Sequence, residues 1–358
     1  IANGVTAIGV HAFSGCTGIK NVNIPASVQK IGFAAFSDCT GLENAAVSAG
    51  IIGESAFIRC SSLKTVAIGS SVRAIGISAF ENCNALQGVY ISDIASWCNI
   101  DFGGFLANPT QFAKHLYLNG VEVTSLQIPN GVTKISDYAF EYCQSISQVT
   151  IPGSVNKIGD YAFYMCTGIS TVNVPSAGVT YIGASAFDSC SSLRNIAIPA
   201  TVSYIGSSAF TWTPIGTATI SQGIIEGHAF EGCGALNKLN IGAGVTKIGD
   251  YAFNKCDAMD AHYGGTITYG GSQAMWEALP IGVSNGVLSK ARFTATGSGD
   301  AAYEGTPEGV SVGATVRFGS FEQDNNGANG QERLEWKVLD VQGDKALIIT
   351  KKVIDFQR

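Results

Sequence analysis

Residues 155–175 read Val155-Asn-Lys-Ile158-Gly159-Asp-Tyr161-Ala162-Phe163-Tyr-Met-Cys166-Thr-Gly-Ile169-Ser-Thr171-Val172-Asn173-Val174-Pro175. Each part of this stretch has a physical reading. Thr171 to Val174 alternates polar and β-branched apolar residues, the period-2 signature of a strand buried on one face. Pro175 follows directly, where a missing N–H ends the ladder at little cost. Gly159 suits a corner that a side chain would obstruct.

The same unit recurs along most of the chain. Ala-Phe ends at Phe13, Phe36, Phe57, Phe80, Phe140, Phe163, Phe187, Phe210, Phe230 and Phe253, at spacings of 23, 21, 23, 60, 23, 24, 23, 20 and 23 residues. Cys follows three residues later at Cys16, Cys39, Cys60, Cys83, Cys143, Cys166, Cys190, Cys233 and Cys256, with Thr213 the exception. Leu or Ile stands three further on, as at Ile19, Leu42, Leu63, Leu86, Ile146, Ile169, Leu193 and Leu236, ahead of the alternating run. Pro25, Pro129, Pro152 and Pro199 repeat the role of Pro175, and Gly32, Gly76 and Gly206 that of Gly159. A unit of this size cannot bury its apolar face alone, so stacking into a solenoid is required, with one parallel strand per coil. Nine cysteines share one repeat position, which makes them an inward column of small apolar side chains rather than a disulfide framework, and reduced thiols are expected.

The pattern Ala-Phe-x-x-Cys-x-x-Leu-x-x-Val-x-Ile-Pro-x-x-Val-x-x-Ile-Gly resembles the leucine-rich repeats of the BspA, or Treponema pallidum, type over about residues 1–295. That resemblance implies a leucine-rich-repeat solenoid, mostly strand and loop with few short helices, with a curved parallel β-sheet on its concave side. It also implies an exported or surface-displayed bacterial protein acting as an adhesin or binding scaffold.

The 60-residue spacing contains an irregular unit at about 90–123 within a solenoid expected over 1–261. Asn108-Pro109 reads as N-cap and first residue of a short helix through about His115. Leu116-Tyr-Leu-Asn119-Gly120-Val-Glu-Val123 is two apolar runs joined by Asn-Gly, a hairpin signal. Tyr90 and Tyr269 each precede a tryptophan, Trp97 and Trp276, by seven residues, with Ser92 and Ser272 placed to cap a helical turn. Residues 262–295 are expected to close the end of the array, since an uncovered coil would expose core and a strand edge. The tryptophans read first as plugs and only secondarily as sugar-stacking platforms. A Gly-rich linker follows at 296–313. Beyond it, Val316–Phe321, Leu334–Leu339 and Lys345–Thr350 are strand-like, and 314–358 resembles an incomplete β-rich module of gut-bacterial surface proteins. Ile1 has no preceding Met or apolar leader, and Arg358 closes on a strand-like run, so both ends are expected to be cut.

Composition narrows function mainly by exclusion. Glycine accounts for 44 of 358 residues and charged residues for only 13%, against about 7% and 25% in ordinary domains. A disordered chain or a helical bundle would look different. The net charge of −6 comes without a basic run, which disfavours nucleic acid, and no apolar stretch is long enough to span a bilayer. His11 and His228 fall in one column before Ala-Phe that elsewhere holds Ser or Tyr, a surface track rather than a ligand set. Gly282-Val-Ser284-Asn-Gly286 matches a nucleophile-elbow string, but no His follows His262, so a loop is expected. Asp324 to Glu335 has the ends of a calcium loop but lacks a ligand at Ala328 and reads as a hairpin loop. No catalytic residue, cofactor or metal site is assigned.

The open sheet face is the remaining candidate. Its two columns contain Asn21, Asn44, Thr65, Gln148, Thr171, Asn195, Thr217 and Lys238, and Asn23, Tyr90, Gln127, Thr150, Asn173 and Asn240. These are small and polar with a single aromatic, so tight-binding anchors are few. The expected function is a non-enzymatic, extracellular or cell-surface scaffold for protein–protein interaction or adhesion, monomeric, with an unknown protein or glycan ligand. The alternatives are a carbohydrate-binding module and a spacer presenting neighbouring domains.

Overall fold

The computed structural model describes residues 1–259, 264–293, 315–321, 332–342 and 345–350. Two units are distinguished: Ile1–Tyr269 with Glu277–Arg292, and Gly270–Trp276 with Phe293–Arg358.

The first unit is a solenoid of parallel strands. The alternating runs form strands such as Asn21–Ile24, Asn44–Val47, Thr65–Ile68 and Gly88–Ile91, paired in register so that Asn21, Asn44, Thr65 and Gly88 align. Val and Ile of each strand point into the core. The sequence reading expected one strand per coil, but most coils add a second, two-residue strand, while Thr217–Ile225 and Lys238–Ile248 each run through both positions as one strand. Lys30–Ile31, Ile51–Ile52 and Ala74–Ile75 are examples, paired in a sheet of their own. The Val-x-x-Ile run is therefore also strand, because stacked coils keep their backbones within pairing distance wherever Ile faces inward.

The Ala-Phe segment makes the third side. The residue before Ala and the second after Phe both lie in the left-handed region, as at Tyr161 (φ 56°) and Met165 (φ 57°) or Ser55 (φ 56°) and Arg59 (φ 59°). The turn so formed sends its N–H groups to the next coil: Phe57 N donates to Ala79 O at 2.8 Å and Arg59 N to Glu81 O at 2.7 Å. Neighbouring Phe rings stack at 5.0–5.5 Å within each half of the array, in the offset geometry aromatic pairs prefer.

The cysteine column lies inside, as expected. Except for exposed Cys16 on the first coil, its members are buried, and all ten cysteines are free. Cys60 Sγ donates to Phe36 O at 3.1 Å and Cys190 Sγ to Phe163 O at 3.2 Å, a bond repeated from coil to coil. Burial pushes the Cys39 thiol up to about 11 and that of Cys98, on the irregular unit, up to about 12.

The second unit contains three antiparallel strands, Thr315–Phe321, Glu332–Gln342 and Lys345–Thr350, over the three strand-like runs of the sequence. The linker at 296–313 and residues 324–331 of the calcium-like segment lie outside the described residues. Within 270–276, Ser272 Oγ accepts from Met275 N at 3.2 Å at the start of helix Gln273–Ala278, the capping expected of it.

Candidate functional site

The predicted face columns are columns of the structure. Gln148, Thr171 and Asn195 pair in register, as do Gln127, Thr150 and Asn173, and Thr217 pairs with Lys238 while Thr219 pairs with Asn240. None of the predicted face residues is buried. Many bond to one another: Asn44 Nδ2 donates to Asn21 Oδ1 at 2.8 Å, Thr65 Oγ1 to Asn44 Oδ1 at 2.7 Å, and Asn240 Nδ2 to Thr219 Oγ1 at 3.0 Å.

The face carries two aromatics, not one. Strand Leu116–Leu118 joins the sheet beside Gly88–Ile91, and its register puts Tyr117 next to Tyr90. The rings stack at 4.7 Å and 13°. A Cβ at Gly88 would stand 3.0 Å from both rings, so glycine there makes room for the pair. Across the Asn119-Gly120 turn, Tyr117 pairs with Glu122, whose Oε1 is 2.6 Å from His115 Nδ1. Burial, followed by the charge of Glu122, raises the Tyr117 phenol. Tyr117 was legible only as half of a hairpin, since its column depends on which strand the hairpin joins.

The irregular unit is a joint. The long-strand sheet ends at Val121–Glu122 and a new one begins at Ser125–Gln127; the short-strand sheet ends at Asp101–Phe102 and restarts at Lys134–Ile135. The coil beginning at Ser125 therefore lacks the preceding Ala-Phe turn whose N–H groups its carbonyls would accept. Side chains replace them. Trp97 Nε1 donates to Ala139 O at 2.7 Å, Asn108 Nδ2 to Tyr138 O at 2.7 Å, and Thr110 Oγ1 to Glu141 O at 2.8 Å. Trp97 is 1% exposed, so it is a plug and not a sugar platform.

Two local expectations shift. The helix around Trp97, Ile94–Cys98, is capped by Asp93 rather than Ser92, because the Asp93 carboxylate accepts from both Ser96 N and Ser96 Oγ. The second helix is Thr110–Ala113, ended by left-handed Lys114 (φ 63°) short of His115. Asn108 still accepts from Thr110 N at 3.0 Å, but its amide is engaged on the next coil.

At the far end Thr266–Tyr269 pairs with Lys238–Ile241. The elbow-like string is a loop whose Asn285 stands in for a missing coil: its Oδ1 accepts from Phe253 N and its Nδ2 donates to Gly249 O, each at 2.9 Å. His11 and His228 both stand at the left-handed position before Ala-Phe. Among the described residues no group of three His, Cys, Asp or Glu is placed to hold a metal, and no helix is long and apolar enough to cross a membrane. Trp212, on the coil where Thr213 replaces Cys, is 54% exposed; that departure from the repeat was the signal that could have singled it out.

Parallel strands stacked on a 23-residue Leu/Ile period, with an asparagine- and tryptophan-capped joint, define a leucine-rich-repeat solenoid. The sequence profile of the BspA-type leucine-rich repeat region, in six copies, matches residues 1–102, 110–233 and 221–277. The chain belongs to this family. Among solved structures it is similar to a leucine-rich cell surface protein of Faecalibacterium prausnitzii (24% identity, 78% of this chain and 88% of that one, TM-score 0.40). It is also similar to a leucine-rich-repeat protein of Bacteroides ovatus (19% identity, 82% and 88%, TM-score 0.44) and to the pneumococcal vaccine antigen PcpA (16%, 81% and 84%, 0.39). No curated protein matches the sequence.

Proposed function

We propose that this chain is a non-enzymatic scaffold, secreted or displayed on a bacterial surface, that engages a protein partner through the polar face of its long-strand sheets. The observation that carries this reading is the alignment of exposed polar columns along the array, with the Tyr90–Tyr117 pair as its aromatic centre. Tyrosine is a favoured interface anchor, and solenoids present extended binding surfaces. Membership of the BspA-type family supports the scaffold role and the surface location. Buried, neutral, carbonyl-bound thiols make poor nucleophiles, which supports a role without catalysis. Because the asparagine and threonine ladders already bond among themselves, a partner must exchange those bonds, and modest affinity is expected.

The test is capture of extracellular proteins on the immobilised chain, followed by affinity measurement with the purified partner. Tyr90→Ala with Tyr117→Ala, and separately Lys238→Ala, should weaken binding about tenfold or more. Affinity unchanged in all of these variants would remove the sheet face as the site.

A further inference from the structure

We propose that the break in the long-strand sheet is a docking cleft for an extended peptide segment of alternating aliphatic and polar residues, which pairs as an added strand with the free edge of Ser125–Gln127. This rests on the polar face being the protein-binding surface and adds how the partner is held there.

Two strand edges face the break without pairing across it. Val121–Glu122 is the last strand of one sheet and Ser125–Gln127 the first of the next. Thr124 O accepts from Ser147 N at 2.8 Å and Ile128 N donates to Thr150 O at 3.0 Å, so the even-numbered residues of this run turn their backbone groups toward the following coil. The residues between them turn the other way, as strand geometry requires. The N–H and C=O of Ser125 and Gln127 therefore point into the break, where they have no hydrogen-bond partner among the described residues. On the opposite side Val123 N donates to Leu116 O at 2.8 Å, which leaves Glu122 as the outward residue of its strand.

The cleft has a volume of about 230 Å³ and is lined by Ile94, Leu118, Val121 and Leu126, with Glu122 and Gln127 at its rim. Register sorts these residues by face. Leu118 aligns with buried Ile91 on one side and with Val121 across the hairpin, so Val121 lies on the core side of the sheet. It is nevertheless 72% exposed, because no strand lies beyond it. A core-side valine so exposed marks the place of a missing neighbour.

A strand laid in the break would set alternate side chains on this apolar floor and the others on the polar face beside Tyr117, Glu122 and Gln127. Small-molecule pockets run to about 300–1,000 Å³. This cleft is smaller, which suits single side chains carried in on an extended backbone. Strand addition takes its affinity from main-chain hydrogen bonds and its specificity from pockets for alternate side chains. The break offers both.

The experiment screens a displayed library of linear peptides against the full chain and measures the best binder by fluorescence polarisation. Affinity in about the micromolar range is expected for so short an edge. Gln127→Pro removes an N–H that points into the break and none that serves the next coil, so it should abolish binding with melting temperature and circular dichroism unchanged. Gln127→Ala, which keeps the backbone, should weaken binding at most about threefold. N-methylation along the peptide should abolish binding at alternate amides and be tolerated between them. In hydrogen exchange of the chain alone the Ser125 and Gln127 amides should exchange freely while Leu126 is protected; bound peptide should slow both about tenfold or more. Should the proline variant melt early, the methylation series and the exchange pattern decide on the native chain. Binding that survives Gln127→Pro in a folded variant overturns the proposal, as does a library that yields no binder sensitive to methylation, or protection of both amides without peptide. A concentration-dependent dimer abolished by Gln127→Pro also overturns it and gives the edge to a second copy. A protein partner weakened by Tyr90→Ala with Tyr117→Ala but indifferent to Gln127→Pro would keep the sheet face and remove the cleft, whereas a peptide lost only in Gln127→Pro would keep the cleft and remove the face.

Discussion

Glycine after the short-strand Ile is demanded by the neighbouring coil, not by its own dihedral angles. A Cβ at Gly76 would stand 2.5 Å from Glu54 N and 2.8 Å from Glu54 Cα, whereas one at Gly9, on the first coil, meets nothing within 4 Å. Gly76→Ala should therefore cost about 1–3 kcal/mol and Gly9→Ala less than about 0.5 kcal/mol in denaturant unfolding; equal effects would contradict the close-approach account. Two coils lack this glycine: Ser136 follows the joint, where its N–H meets Cys98 O instead of a preceding coil, and Glu226 stands at the position after Ile225, its N–H on Ile205 O. A second residue-scale consequence concerns Glu141. Its carboxylate is buried beside the joint and neither oxygen has a hydrogen-bond partner. Burial pushes it up to about 8, partly opposed by the Lys114 charge. Between the ordinary value of 4.5 and about 8 the folded chain keeps a proton that the unfolded chain has released, so stability falls as pH rises through that window. Glu141→Gln should flatten the dependence and raise stability at pH 9 by about 2–4 kcal/mol. An unchanged pH profile of the melting temperature would count against a buried, proton-holding Glu141.

At the scale of elements, the solenoid handles its interruptions by letting side chains take the place of backbone. At the joint Trp97, Asn108 and Thr110 supply the donors an Ala-Phe turn would have supplied. At the end Asn285 supplies the acceptor for Phe253 N. Buried backbone polar groups left unpaired cost about 1–3 kcal/mol each, which explains amide and indole groups where the repeat has none. Asn285→Ala should lower amide protection of Phe253 and its coil in hydrogen exchange while leaving the coils before the joint unchanged. Asn285→Asp, which keeps the acceptor for Phe253 N but sets a carboxylate oxygen against the Gly249 and Gly282 carbonyls, should lower that protection too. The hairpin and the residues near Asn108 were legible in the sequence because Asn-Gly and Asn-Pro act locally. The role of Asn285 was not, since the string around it has no partner until the coil at Phe253 is laid beside it.

For the whole first unit, no sheet crosses the joint, so the two halves of the array are coupled there by buried side-chain packing and a few specific bonds in place of a continuous ladder. In a repeat array cooperativity rests on nearest-neighbour interfaces. Trp97→Phe combined with Asn108→Ala should split denaturant unfolding into two transitions, read by circular dichroism; a single transition of unchanged steepness would show the halves coupled by other means. The cysteine column offers a second global readout: with only Cys16 exposed, one thiol should alkylate in the native chain and all ten after unfolding, by intact mass. Several native disulfides would contradict it. The amino-acid sequence alone determined the repeat, its inward Val, Ile, Phe and Cys columns and the polar face, because a period of about 23 residues leaves stacking as the only way to bury those side chains. Tertiary structure decided what depends on contacts between coils. The second strand of most coils, the Tyr90–Tyr117 pair, the seating of Trp212 on Gly232 and the side-chain caps at each break all join residues whose distance in sequence conceals that they are neighbours.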